Sequence, residues 1–243
     1  MRKRPNLKLA GLKPSNLKQA GFTLIEISQE LEEKGIIRDS KAFLTYVNRD
    51  AKDELIGKFP FLSEVPGTIL EGYLFPETYV LAKRSPYKKV VAAFLTQFQK
   101  QALPLYRAAD TPLSLHETMT LASIVEKESF GHKEMRKISG VFHNRLKQRM
   151  LLASCPTVAY ALGDPRKRTL SYKDLEVKSP YNTYRNRGLP PTPIAASGTL
   201  AIKAALYPVE TPYLYFIANG DGTHTFTKTL AEHLKRQRVL MGH

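Results

Sequence analysis

Apolar positions in this chain of 243 residues recur mostly at helical spacing, with strand spacing confined to a few short stretches. Leu24, Ile27 and Leu31 form one stripe, opened by Thr23 and Glu26 at capping-box spacing and closed by Gly35. A second helix is predicted from Asp39 or Ser40, with Phe43 and Val47 on one face. Residues 68–80 read as extended, and Pro76 demotes part of that run to an edge or a turn. Pro86 opens a helix whose buried side is Val90, Val91, Phe94, Leu95 and Phe98, and Leu103-Pro104 ends it. Asp110-Thr-Pro112 then marks a boundary. Residues 22–110 are therefore predicted to form a small α+β unit, with Glu71 and Glu77 as solvated strand-end acids.

Beyond that boundary the pattern changes in one telling respect. Leu121, Ile124, Val125 and Glu128 stand at i, i+3, i+4 and i+7, so a carboxyl group shares a stripe with three core-seeking side chains. Glu126 lies roughly 200° away at about 3.6 residues per turn and is expected to be solvated. A further helix spans about Ile138 to Met150, with Ile138, Val141, Phe142 and Leu146 inward and Asn144 on the flank. Residues 179–193 hold four prolines, together with Tyr181 and Tyr184. Such a segment is too stiff for a tether and too polar for a core strand, and long irregular segments tend to be functional. Ser197 is placed to cap a helix through Leu206, which Pro208 stops. Tyr213–Ala218 and Thr223–Thr227 read as a hairpin about Asn219-Gly-Asp-Gly222, followed by a basic helix from about Leu230.

Glu128 is the residue on which chemistry converges. Burial disfavours the charged form of a carboxyl and raises its pKa, which suits a general acid near neutral pH. The same placement also fits the polar rim of a helix paired to a lysine or arginine, so the stripe alone leaves both open.

Charge narrows the partners. The formal net charge is +15, which favours an anionic polymer or surface: nucleic acid, anionic lipid or acidic cell-wall glycan. Part of the excess lies in residues 1–21, which contain no acid and read as a flexible basic tail. A single cysteine, Cys155, excludes an intramolecular disulfide framework, and a small buried thiol is its commoner role. No run approaches the roughly 18 apolar residues of a membrane span, so the chain as given is expected to be soluble. Gly220-Asp-Gly222 lacks the strand–loop–helix setting of a phosphate loop. The histidines lack metal-motif spacing, and no nucleophile elbow is present.

Several short motifs then occur in order. They are Glu71-Gly-Tyr-Leu-Phe-Pro-Glu-Thr-Tyr79, Ala122-Ser-Ile-Val-Glu-Lys-Glu-Ser129, Val141-Phe-His-Asn-Arg-Leu146, Pro156-Thr-Val158 and Tyr181-Asn-Thr-Tyr184. Gly188-Leu-Pro-Pro191, Thr211-Pro-Tyr-Leu-Tyr-Phe216 and His224-Thr-Phe226 complete the set. Together, from about Phe22 to the C-terminus, they resemble the MltG (YceG-like) endolytic murein transglycosylase family. The resemblance implies a small LysM-like N-terminal subdomain at 22–110 and a mixed α/β catalytic domain at 111–243, α+β overall. It implies cleavage of the β-1,4 bond between N-acetylmuramic acid and N-acetylglucosamine, leaving 1,6-anhydromuramyl ends. Glu128 matches the family's catalytic glutamate. Asn144, Tyr181, Asn182 and Tyr184 become candidate sugar contacts, although the two tyrosines and Asn182 serve equally well to pin their loop, and Asn144 to sit as a helix-surface amide. His224 is read as packing in the hairpin, with lining the cleft as the alternative.

The resemblance further implies peptidoglycan strands as substrate, cell-wall synthases (penicillin-binding proteins) as partners and a place in the cell envelope, periplasmic or at the outer face of the cytoplasmic membrane. Neither a cofactor nor a metal is implied. An older label, aminodeoxychorismate lyase, would require a pyridoxal-phosphate lysine, for which the sequence offers no candidate. The chain departs from the family in carrying Ala153 and Cys155 where Gln and Asp are common. It also has Thr192 for Gly and Ala196-Ser197 for Asn-Pro, and it lacks the usual N-terminal membrane helix. The first departure removes polar groups from a segment expected to face substrate, which leaves an inert glycan-binding protein as a rival. A basic nucleic-acid-binding protein is a second rival, but it gives Glu128 no purpose.

Overall fold

The computed structural model describes residues 20–129, 131, 133–167 and 169–240. The basic stretch assigned to a tail falls, up to residue 19, outside them. Gly21 is already tied down: its N–H donates to the Ala196 carbonyl at 2.8 Å, and the Ala196 N–H returns a bond to Phe22 at 2.7 Å.

Helix α1 (Leu24–Glu33) carries both halves of the expected capping box between Thr23 and Glu26, and Gly35 follows its end at φ 66°. Helix α2 (Ser40–Arg49) is capped by Asp39, whose carboxylate accepts from the Ala42 N–H. Helices α3 (Ala51–Leu55), α4 (Tyr87–Gln101) and α5 (Leu103–Arg107) complete the N-terminal half, with Pro86 at the N-cap of α4. No strand of the sheet comes from the described residues up to 110. The α+β unit expected there is instead helical. Residues 68–80 are irregular because Pro76 and the buried Glu71-Gly72 turn leave no continuous ladder.

Helix α6 (Leu115–Glu128) is the axis of the second half, beside α7 (Met135–Lys147), α8 (Cys155–Ala161) and α9 (Thr199–Leu206). Strands β1 (Tyr215–Ala218) and β2 (His224–Thr227) pair antiparallel, with Phe216 opposite Phe226 and Ala218 opposite His224. Helix α10 (Leu230–Leu240) follows and buries none of its residues. The helices and this one described hairpin make the architecture α+β.

The sequence predicts one apolar stripe on α6, but the helix is buried nearly all round. Every residue from Leu115 to Val125 except Glu117 is buried, including Thr118, Thr120 and Ser123. Those hydroxyls cost little where they have partners. Thr120 donates to the His116 carbonyl, and Ser123 donates to Thr120 while accepting the Ile194 N–H at 3.0 Å. Each fully buried Leu, Ile or Val on α6 contributes about 1.5–3 kcal/mol. One hydrophobic core runs from Leu24 in α1 through α4 and α6 to Leu206, so it continues across the loop at residues 108–114 where a boundary was read.

His116 fastens the two halves. Its Nε2 donates to the Pro191 carbonyl at 2.7 Å, which leaves Nδ1 to accept from the Tyr73 hydroxyl at 2.9 Å. Glu71, expected in solvent, is buried instead. Its carboxyl oxygens lie 3.0 and 3.1 Å from the Leu24 N–H and one also accepts from the Tyr160 hydroxyl, while burial pushes its pKa up to about 7. Glu77 is exposed. Beside Glu71, Gly72 sits at φ 83°, and an added Cβ would come within 2.4 Å of Pro193 Cβ.

Two outcomes are expected. Gly72→Ala combines positive-φ strain with overpacking and should cost about 2–4 kcal/mol in denaturant unfolding; a loss below half of that would mean the Pro193 loop yields freely. A carboxyl whose folded pKa is raised stabilises the protein below its unfolded value near 4.5 and loses that contribution as pH rises towards 7. The melting-temperature gap between wild type and Glu71→Gln should therefore narrow between about pH 5 and about pH 8. A widening gap would show that the native fold prefers the ionised group.

Candidate active site

Glu128 closes α6 where that helix leaves the core, and it is half-buried, as are its neighbours from Glu126 to Ser129. Ser129 is the C-cap in an extended conformation, so the chain turns away and the carboxyl projects past the end of the helix. Burial raises the Glu128 pKa. The Ser154 hydroxyl and the charges of His224 and Arg145 oppose that rise without cancelling it.

The direct partner of Glu128 is Ser154, whose Oγ donates to Oε1 at 2.6 Å. Ser154 stands at the N-cap of α8 but makes no side-chain cap. The position explains why. A capping hydroxyl accepts from the N–H of the second or third helical residue; the second here is Pro156, which has none, and the third, Thr157, gives its N–H to the Ser154 carbonyl. The hydroxyl is thereby released towards Glu128. Its backbone is clamped from the other side: the Ser154 N–H donates to Thr183 Oγ1 at 3.0 Å, and the Ala153 N–H donates to the Thr183 carbonyl at 3.0 Å. Ala153 holds φ 46° to make this bend, a left-handed conformation that costs about 1–2 kcal/mol in a non-glycine residue. Strain of this kind persists where the surroundings over-determine it.

Arg145 is the nearby cation. Its guanidinium donates to the carbonyls of Leu214 and Leu152, both at 2.6 Å, and lies 5.1 Å from the centre of the Tyr215 ring. Held by carbonyls rather than by a carboxylate, it keeps its charge available to Glu128. His224 is buried, with Nδ1 2.8 Å from Glu134 and its ring edge-on to Phe216. That agrees with the hairpin-packing role read for it, while its charge also bears on Glu128.

The other residues singled out from sequence fall into two groups. Tyr184 comes to the site: its hydroxyl lies 3.1 Å from Cys155 Sγ, and burial raises its pKa. Asn144, Tyr181 and Asn182 act at one remove. The Asn144 amide donates to the carbonyls of Thr211 and Tyr213 at 2.7 and 3.0 Å, pinning the approach to β1. Tyr181 packs on Tyr160 at 4.9 Å and its hydroxyl meets Thr192 at 2.8 Å. Asn182 is wholly enclosed. Its amide donates to Leu175 and Val177, and its oxygen accepts the Tyr184 N–H. A direct sugar contact by Asn182 therefore gives way to a loop-locking role.

Three further readings are corrected. Glu126 is half-buried rather than solvated, and its Oε2 accepts the Gly198 N–H at 3.0 Å at the start of α9. That helix is capped at Gly198 rather than Ser197. Cys155 is exposed, not buried. Ser154 and Arg145 escaped the sequence reading. A serine ahead of Cys155-Pro156 was the available signal for the first; Arg145, one residue past Asn144, offered none that distinguishes it from other basic residues. Among the described residues, no cluster of His, Cys, Asp and Glu could hold a metal ion.

The chain is similar to several known proteins. An endolytic murein transglycosylase of Bacillus subtilis is 44% identical over 168 residues, covering 68% of this chain and 46% of that protein. One from Streptococcus pneumoniae is 32% identical over 216 residues, covering 82% of this chain and 39% of the relative. The chain thus spans less than half the length of these curated relatives. The crystal structure of a putative YceG-like protein from Listeria monocytogenes superposes with a TM-score of 0.80 at 35% identity, over 93% of this chain and 76% of that one. The model of the YceG-like family matches residues 53–239, and the chain belongs to that family.

Proposed function

We propose that the chain is the catalytic part of an endolytic peptidoglycan lytic transglycosylase with Glu128 as its acid and base. One observation carries the reading: a carboxyl at the mouth of a buried helix has its pKa raised by burial, while one of its oxygens is fixed at 2.6 Å by Ser154. In the first step, protonated Glu128 gives its proton to the glycosidic oxygen as the muramyl C1–O bond breaks through an oxocarbenium-like transition state. In the second, the carboxylate takes the proton of the muramyl 6-hydroxyl as that oxygen bonds to C1. The result is a 1,6-anhydro end, and no water is consumed.

One carboxyl suffices for this route, acting first as the acid and then as the base. The Arg145 charge favours the carboxylate that exists between the two steps, and burial favours the acid at the start, so the group can serve both. Tyr184 beside Cys155 offers a ring for a sugar face, and Asn182 and Tyr181 hold the loop that presents it. Asn144 sets the entry to β1 and with it the Arg145 cradle. Cell-wall synthases as partners and a place in the cell envelope belong to this proposal through the relatives' names. Among the described residues, no helix is long and apolar enough to cross a membrane.

Three outcomes are expected. Glu128→Gln should lower release of anhydro-ended products from purified sacculi by about 10²–10⁴-fold with the melting temperature retained. Unchanged release would end the proposal, and retention of the protein on uncleaved glycan by the wild type would favour an inert binder. Glu126→Gln keeps an acceptor for Gly198 and should stay close to wild type in rate. Ser154→Ala removes a donor that favours ionised Glu128. The upper pH limit of activity should therefore move up, while the rate falls by about 10- to 100-fold as the carboxyl loses its fixed orientation. A pH profile that stays in place would mean that Ser154 does not act on the acid.

A further inference from the structure

The two segments that flank Glu128 contain no acid at all. Neither residues 135–163 nor residues 177–209 include an aspartate or a glutamate. They are stitched together by the Ala153–Thr183 and Ser154–Thr183 bonds and by the isolated bridge between Leu151 and Arg187. Along this seam Lys147, Arg149, Lys178, Arg185 and Arg187 are exposed. Among the described residues none of the five has a carboxylate within ion-pair distance. Among the described cations that are paired are Lys34 with Glu30, Lys88 with Glu54, Arg166 with Glu26 and Lys167 with Asp174.

One part of the seam is concave and rigid. Lys178, Ser179, Pro180, Arg185 and Asn186 line a pocket of about 410 Å³. Its two cations stand on either side of a turn that is locked from within. The Asn186 amide donates to the carbonyls of Ser179 and Asn182, and the buried Asn182 amide holds Leu175 and Val177. The backbone of the turn is thus fixed before any ligand arrives, which lowers the ordering cost of binding. The same turn carries Tyr184, adjacent to Arg185 in the chain, and the Tyr184 hydroxyl reaches Cys155, next to the Ser154 that holds Glu128. One turn thus bears both the pocket and the tyrosine that reaches the Glu128 site.

We propose that the pocket between Lys178 and Arg185 is a subsite for the carboxylates of the peptide stem borne by the muramyl residue at the scissile bond. This rests on the transglycosylase reading above. The chemistry of the substrate selects the ligand: the backbone sugars of the strand are uncharged, and the lactyl carboxyl of muramic acid is consumed in the amide to the stem. The nearest anions to the reacting C1 are therefore stem carboxylates. Arg185 supplies a planar donor fork and Lys178 a point charge, a pair suited to carboxylates at variable distance. Such a subsite would make cleavage favour strands that still carry their stems.

The test compares Lys178→Gln/Arg185→Gln with wild type on two substrates: uncrosslinked glycan strands bearing stems, and the same strands stripped by an amidase. For wild type, KM should be lower on stem-bearing strands. In the double variant, KM on stem-bearing strands should rise by roughly fivefold with kcat unchanged, an effect in the range of two exposed ion pairs, and KM on stripped strands should not move. Added salt should shrink the difference. An equal change on both substrates, or none on the stem-bearing one, overturns the subsite; in the first case the cations serve a general attraction to the polymer. A parallel measurement in the Glu128→Gln background reads binding without turnover, by co-sedimentation with each type of strand. If wild type cleaves neither substrate, the transglycosylase reading fails, while stem-dependent co-sedimentation still decides the subsite.

Discussion

The structure is organised around the exit of one helix from the core. Helix α6 is enclosed on nearly all sides for most of its length, so its position is fixed by packing and its last residue inherits that precision. Glu128 occupies this last turn. Two turns earlier its carboxyl would be enclosed in the core and could not ionise at acceptable cost; one turn later it would stand in water and titrate as an ordinary glutamate. At the boundary it gains a raised pKa and keeps access to a ligand. Acid–base chemistry with a single group requires both.

Ser154, Arg145 and Tyr184 reach the Glu128 end of α6 from other parts of the chain, each held in place by hydrogen bonds across segments. Ser154 comes from the start of α8, released from capping by Pro156 and fixed by Thr183. Arg145 comes from α7, anchored to carbonyls on both sides. Tyr184 comes from the proline-rich loop, whose conformation depends on the buried amide of Asn182. Polar groups of this kind are costly to bury unless satisfied, and here they satisfy one another across segments. The site is therefore a junction of three segments against one helix end.

The N-terminal helices take part in that junction indirectly. Glu71 joins the first turn of α1 to Tyr160 on α8, and Gly72 lets Pro193 approach. His116 then ties Tyr73 to Pro191. Through these contacts the N-terminal half braces the α8 end and the proline-rich loop, the two segments that deliver Ser154 and Tyr184. A shared core across residue 110 is the physical expression of that bracing.

Local patterns in the sequence determined what local physics controls. The Thr23–Glu26 capping box, the Asp39 cap, the Pro86 start and the Asn219–Gly222 turn all stand where their residue types require, because each is settled within a few residues. The apolar stripe that carries Glu128 put that residue at the end of a buried helix for the same reason. Partners at long range were another matter. Ser154 is 26 residues from Glu128, and Glu71 is 47 from Leu24; the periodicity that places a side chain on a helix face does not say what meets that face. Glu71 and Glu126 therefore read as solvated when one is buried and the other anchors α9, and residues 68–80 read as extended although no strand forms there. Packing decided those points, since the energy of a buried polar group depends on the atoms that enclose it and those atoms are assembled only when the chain folds.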